Sequence, residues 1–111
     1  WNEVEQKFEP PYHHFSDDFL YKNELNFIPL QIKKLINLIA LDLSGNQISK
    51  IKNLEQFVYL KNLDLSDNYI SQIENLDTLQ QLEHLDLSGN QISKIKNINQ
   101  LKQLRVLNLK L

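Results

Sequence analysis

The stretch LDLSGNQISKIKN occupies residues 41–53 and recurs without a single change at residues 85–97. A looser copy, LDLSDNYISQIEN, lies midway between them at residues 63–75. The three copies begin 22 residues apart. An internal period of this length is typical of a protein built by stacking one supersecondary unit on the next, so the repeat decides the fold.

Each unit has the pattern of a short strand, a turn and a return segment. Leu41 and Leu43 are two residues apart, so their side chains point to one side of an extended strand. Later in the unit the apolar spacing becomes three, as at Leu54 and Phe57, which is the spacing that a 3₁₀ turn presents to a core. Neither half can bury its apolar side alone, and stacking the units buries both.

These residues resemble the leucine-rich repeat, with its pattern LxxLxLxxNxIxxI, over about residues 23–111. The 22-residue type is similar to the leucine-rich-repeat regulator of type-1 protein phosphatase and to axonemal dynein light chains, and similar repeats occur in bacterial internalin adhesins. The resemblance implies an α/β solenoid with short parallel strands on the concave face and 3₁₀ or short helical turns on the convex face. It also implies a structural ladder of turn asparagines, whose amides both donate and accept hydrogen bonds: Asn46, Asn68 and Asn90.

The sequence predicts two parts. Residues 1–16 carry no repeat, and because a terminal repeat exposes the edge of the core, we expect them to form a capping or docking segment. Residues 17–111 then hold about four repeats, of which the first has a different spacing around Asn23 and the last is truncated. No polar turn follows residues 107–109, so we expect the C-terminal edge to be continued in the native protein or covered by another chain.

Composition excludes several classes of function. The net charge of −2 and the pI near 5.9 argue against a general nucleic-acid binder. The absence of cysteine excludes a disulfide scaffold, a thiolate zinc site and a cysteine nucleophile. No apolar run approaches the roughly 18 residues of a membrane span. No phosphate-binding loop or metal-ligand spacing occurs either, so we expect no cofactor and no metal.

The side chains that alternate with the strand leucines line the concave face. Three aspartates recur in one slot, and carboxylates on strands about 4.8 Å apart repel each other, so they favour solvent or a cationic partner. The alternative is that LDLS is simply a common form of such repeats, since fold-level patterns say little about function. The candidates for partner binding are six residues: Asp42, Asn62, Asp64, His84, Asp86 and Asn108.

His84 is expected to lie near two aspartates and two serines, which invites comparison with a Ser–His–Asp triad. A triad is defined by geometry and requires a preorganised oxyanion hole, and an open sheet offers no evident pocket for one. We therefore predict that His84 is a recognition residue, sensitive to pH beside its carboxylate neighbours. No catalytic residue is assigned.

Three further groups of residues need an interpretation. Tyr59 and Tyr69 stand where other repeats have glutamine, and they are either aromatic anchors for a partner or ordinary surface residues. Adjacent histidines at 13–14 have poor spacing for a metal, so we expect loop residues without a role. A second set of recurrent asparagines is interpreted as N-caps of the return turns: Asn53, Asn75 and Asn97.

We therefore interpret the chain as a non-catalytic protein–protein interaction module, which presents a concave, mildly acidic strand surface to a protein partner, alone or within a larger complex. A rigid surface helps because little ordering is then needed on binding. Two alternatives remain open: the sensor or docking region of a larger enzyme, and a bacterial internalin-like adhesin. A catalytic domain elsewhere in the native chain would favour the enzyme, a signal peptide the adhesin, and a bare repeat array the scaffold.

Overall fold

The computed structural model describes residues 14–15 and 36–111, and the structural statements below refer to these residues. They form one parallel sheet in which every strand lies beside the next strand of the sequence. The chain therefore coils in a single direction and builds a solenoid, as the sequence predicts. The five strands are short: β1 (His14–Phe15), β2 (Ala40–Asp42), β3 (Asn62–Asp64), β4 (His84–Asp86) and β5 (Val106–Asn108).

The strands pair in the register of the repeat. Leu41 lies opposite Leu63, and Leu63 lies opposite Leu85. Because side chains alternate along a strand, a slip of one residue would turn these buried leucines out to solvent, so the apolar pattern fixes the register. Every side chain that alternates with them is consequently aligned with its counterparts in the neighbouring repeats.

Strand β1 lies within residues 1–16, which are predicted to form a capping or docking segment. His14 pairs with Ala40 and Phe15 with Leu41, so this segment contributes a strand to the sheet, which the sequence did not predict. The remainder of residues 1–16, the histidine at 13 and the differently spaced repeat around Asn23 lie outside the described residues. The division of the chain at residue 16 stays a prediction.

The core lies between the sheet and the return segments. Leu63 enters it from β3, while Ile51 and Ile73 enter it from the segments that follow the turns, and both isoleucines are fully buried. At the β5 end the equivalent Ile95 is 64% exposed. Because Ile95 belongs to the repeat that begins with β4, the repeats that begin with β2 and β3 are the best packed, and they are the place to test the determinants of stability.

The return segments consist of single turns. The N–H of Phe57 donates to the carbonyl of Leu54 at 3.0 Å, and the N–H of Leu60 donates to the carbonyl of Phe57 at 3.1 Å. These are the three-residue bonds of a 3₁₀ turn, and residues 76–82 and 98–104 repeat them. The prediction of 3₁₀ turns on the convex side is confirmed, whereas no helix forms in the described part of the chain.

A buried asparagine ties each turn to the repeat before it. The Oδ1 of Asn68 accepts the N–H of Ile48 at 3.0 Å. Its Nδ2 donates to the carbonyl of Leu43 in the preceding repeat at 3.1 Å and to that of Leu65 in its own repeat at 3.0 Å. Asn90 makes the equivalent bonds one repeat further on. One side chain thus closes its own turn and joins two repeats.

A second asparagine ladder runs along the other side of the core. Asn75 and Asn97 have φ angles of 60° and 62°, a left-handed conformation that asparagine tolerates better than most residues. Their Nδ2 atoms donate to the carbonyls of Ile51 and Ile73 in the preceding repeats, at 2.7 and 2.8 Å. The interpretation of these residues as N-caps is therefore wrong, because their amides bond across repeats and no helix follows them.

One turn position has a left-handed backbone in three of the described repeats. Gly45, Asp67 and Gly89 share this position, with φ angles of 70°, 55° and 68°. Glycine adopts the conformation without strain, whereas a side chain there is strained. The carboxylate of Asp67 fills the space above Gly89, so that a Cβ added to Gly89 would collide with Oδ1 of Asp67.

Replacing Asn68 with alanine should destabilise the whole array. The change leaves the N–H of Ile48 without its acceptor and opens a small cavity, and a single unsatisfied buried group costs about 1–3 kcal/mol. We expect the free energy of unfolding, measured by urea denaturation, to fall by about 3 kcal/mol. Asn62→Ala, which removes an exposed asparagine, is the control, and an equal loss in both variants would contradict the ladder's role.

Gly89→Ala should be costly in the natural sequence and cheaper after Asp67→Gly. Strain from the left-handed backbone remains in both cases, at about 1 kcal/mol. The collision with the carboxylate of Asp67 disappears in the double variant, so we expect a total cost of about 2 kcal/mol alone and about 1 kcal/mol in the Asp67→Gly background. Urea denaturation of the four proteins measures this coupling, and additive effects would show that the two positions do not interact.

Candidate functional site

The side chains of β2 to β5 that point away from the core form two parallel columns. The first column consists of Ala40, Asn62, His84 and Val106. The carboxylate column consists of Asp42, Asp64 and Asp86 and ends at Asn108. Together they line a trough of about 380 Å³ on the concave face. The structure thus brings into one surface all six residues that the sequence suggested for partner binding.

A serine two residues further on holds each carboxylate of the column. The Oδ1 of Asp64 accepts the N–H of Ser66 at 2.9 Å and its hydroxyl at 2.6 Å. The carboxylates of Asp42 and Asp86 accept the same pair of bonds at the same distances. Within the described residues, Oδ2 of these aspartates accepts no hydrogen bond. This role of the serines was not predicted from the sequence, although their constant place after each aspartate indicates it.

The carboxylate column concentrates negative charge on the concave face. Burial raises the pKa of Asp64 above its ordinary value, the hydrogen bonds from Ser66 oppose this rise, and the carboxylates of Asp42 and Asp86 add to it. No lysine or arginine is among the residues that line the trough in the described part of the chain. The geometry therefore holds three like charges on neighbouring strands, about 4.8 Å apart.

The hydrogen bonds do not form a catalytic triad around His84. In a triad the serine gives its proton to the histidine. Here the hydroxyls of Ser66 and Ser88 donate to Asp64 and Asp86. His84 is exposed on β4. It is available to a partner at the middle of the first column.

The two tyrosines lie elsewhere on the surface. Tyr59 and Tyr69 are exposed, and neither lines the trough. Tyr59 belongs to the return segment before β3, and Tyr69 follows Asn68 in the turn after that strand. Any partner that uses them would contact a different face from the one that bears the carboxylates.

The described residues contain neither a metal site nor a membrane-spanning helix. No three or more histidine, cysteine or carboxylate side chains lie together there in a way that could hold a metal ion. Nor does that part of the chain contain a helix long and apolar enough to cross a membrane.

Comparison with known families identifies the repeat. The profile of the family described as "Leucine Rich repeats (2 copies)" matches residues 36–78 and residues 80–111. These two matches cover most of the 111 residues. The chain therefore belongs to the leucine-rich repeat family. Among curated proteins, none matches the chain.

Several solved structures share this architecture. Internalin C2 of Listeria monocytogenes is 32% identical over 70% of this chain, with a TM-score of 0.66. A leucine-rich repeat protein of Leptospira interrogans is 25% identical over 75% of this chain, also with a TM-score of 0.66. A second Listeria internalin, InlF, is 25% identical over 72%, with a TM-score of 0.55. The chain spans only 34%, 22% and 31% of these proteins, in the same order.

The family and these neighbours support a protein-interaction module in general terms. Leucine-rich repeat proteins typically bind other proteins and are typically non-catalytic.

Asp64→Asn should stabilise the protein at neutral pH. Because the pKa of Asp64 is raised from 3.8, the folded protein binds this proton more readily than the unfolded chain does. The stability contributed by this group is therefore present at low pH and is lost as the pH rises through the raised pKa. Asparagine at this position keeps an acceptor for the turn, as Asn108 does for the N–H of Lys110 at 3.1 Å.

Urea denaturation at pH 7 and at about pH 3 measures the difference. We expect the variant to be the more stable protein at pH 7 and to lose this advantage at about pH 3, where Asp64 is protonated in both states. Asp77→Asn, at an exposed carboxylate of a return segment, is the control. An advantage of Asp64→Asn that persists unchanged at low pH would contradict this explanation.

Proposed function

We propose that the chain is a non-catalytic protein–protein interaction module that binds its partner through the concave trough. The observation that carries the proposal is the carboxylate column, in which three half-buried aspartates have no lysine or arginine among the described residues that line the trough. At Asp64 burial disfavours the charged form, and yet a carboxylate stands at this place in three repeats, which is best explained by a use outside folding. Contact with a partner is such a use.

The way in which the trough is built supports this proposal. The strands are held by asparagines on both sides of the core, and each carboxylate of the trough is fixed by a serine. A surface whose side chains are already ordered loses little conformational entropy on binding. The partner residues proposed for this surface are the six suggested by the sequence: Asp42, Asn62, Asp64, His84, Asp86 and Asn108.

A second candidate is an internalin-like adhesin. The structural similarity to the two Listeria internalins favours it, at 32% and 25% identity. Both candidates use the same trough, and they differ in what surrounds the repeats in the native protein. A signal peptide in the full-length chain would favour the adhesin, and a repeat array without one would favour a scaffold.

A charge reversal in the trough should abolish capture of the natural partner. The natural chain and two single variants, Asp64→Lys and His84→Glu, are immobilised and exposed to an extract of the source organism. We expect the natural chain to retain a partner protein that neither variant retains. The first variant reverses the charge at the centre of the carboxylate column, and the second adds a fourth negative charge beside it. Mass spectrometry of the retained proteins measures the outcome.

Matched controls carry the same charge changes outside the trough. Asp77→Lys and Gln80→Glu alter exposed residues of a return segment, and they should retain the partner. Circular dichroism of all four variants establishes that they fold. Unchanged capture by both trough variants would refute the proposal, whereas loss in the controls as well would point to general electrostatic attraction.

A further inference from the structure

We propose that the trough binds an amphipathic α-helix of the protein partner, with arginine or lysine at positions i, i+3 and i+7 above the carboxylate column. This inference rests on the proposed function and names the kind of partner. The candidate is a whole face of the sheet: four strands contribute to the trough, and two distinct columns of side chains line it.

Charge complementarity selects a basic partner. The carboxylate column presents three acidic side chains, while Asn62 and Asn108 beside it are neutral. One oxygen of Asp64 is occupied by Ser66, and the described residues leave the other without a donor. The carboxylates are therefore oriented acceptors, and a guanidinium or ammonium group supplies the donors that they lack.

The spacing of the column fits a helix better than an extended segment. Asp42, Asp64 and Asp86 lie directly opposite one another in the sheet, so they follow each other at about 4.8 and 9.6 Å. Residues i, i+3 and i+7 of a helix lie on one face, at about 4.5 and 10.5 Å along its axis. Side chains on one face of an extended chain lie about 6.7 Å apart and lose this register within two steps.

The first column gives the helix a second flank to contact. It lies two residues back along each strand, about 6.6 Å from the carboxylates. Its ends are apolar, since Val106 is 47% exposed on β5 and Ala40 is half-buried on β2. His84 and Asn62 lie between them. A helix over the carboxylate column would therefore bury small or apolar residues of its adjacent flank against Val106 and Ala40.

Three synthetic peptides of identical composition test the proposal with the whole chain. The first is an alanine-based helix with arginines at i, i+3 and i+7 and valines on the adjacent flank. In the second the arginines stand at i, i+5 and i+10 and so are spread around the helix. The third places them at i, i+2 and i+4 and uses its valines to favour an extended form. Titrations followed by ¹⁵N NMR give both the affinity and the location of each contact.

We expect the first peptide to bind about tenfold more tightly than either of the others, because three aligned charge pairs contribute together. The chemical-shift changes that this peptide causes in the protein should fall on residues 40–42, 62–64, 84–86 and 106–108. Asp64→Asn should weaken this binding about threefold, and Asp77→Asn should not change it.

Equal binding of the first two peptides would overturn the proposal, because only net charge would then matter. Tighter binding of the third peptide would replace the helix with an extended ligand and overturn it as well. Failure of all three peptides, together with loss of the natural partner by Asp64→Lys, would refute the helix and leave the proposed function standing. If both trough variants still capture the natural partner, the proposed function itself is refuted.

Discussion

The amide of Asn68 is the interaction on which the rest of the structure depends. It accepts from one repeat and donates to the carbonyls of two, so the same side chain closes its own turn and bonds the turn of the preceding repeat. Stacked repeats contact only their neighbours, and the coupling between neighbours decides whether the array folds as one body. The ladder at Asn75 and Asn97 supplies the same coupling on the opposite side of the core. Because the two ladders fix how the repeats stack, they also fix how the leucines and isoleucines pack in the core.

Much of this architecture was predictable from the sequence, since a 22-residue period leaves few alternatives. The position of the strands, their parallel order and the alignment of Asp42, Asp64 and Asp86 all follow from the spacing of Leu41 and Leu43 and its repetition. Strand β1 was not predictable because residues 14–15 share no motif with the later repeats. The spacing placed Asn75 correctly at a turn but could not show its φ angle or the repeat to which its amide bonds.

The candidate surface was predictable as a set of residues but not in its chemistry. Alternation along the strand placed Asp64 and His84 on one face. The pairing of each serine hydroxyl with its own aspartate could not be predicted, because the sequence left Ser66 equally free to face His84. That pairing separates a surface of oriented acceptors from a catalytic arrangement. The like charges of the carboxylate column still repel one another in the folded protein, and a cationic partner would reduce this repulsion.

The in-register pairing of equivalent positions has a consequence for how such a protein changes over time. Residues 41–53 and residues 85–97 are identical, yet the strands that begin these repeats expose Ala40 in one case and His84 in the other. A whole repeat can therefore be duplicated or lost without altering the packing of those that remain. Each added unit would lengthen the concave surface by one strand spacing, about 4.8 Å. Recognition can then diversify at one or two codons per repeat, while the scaffold is inherited unchanged.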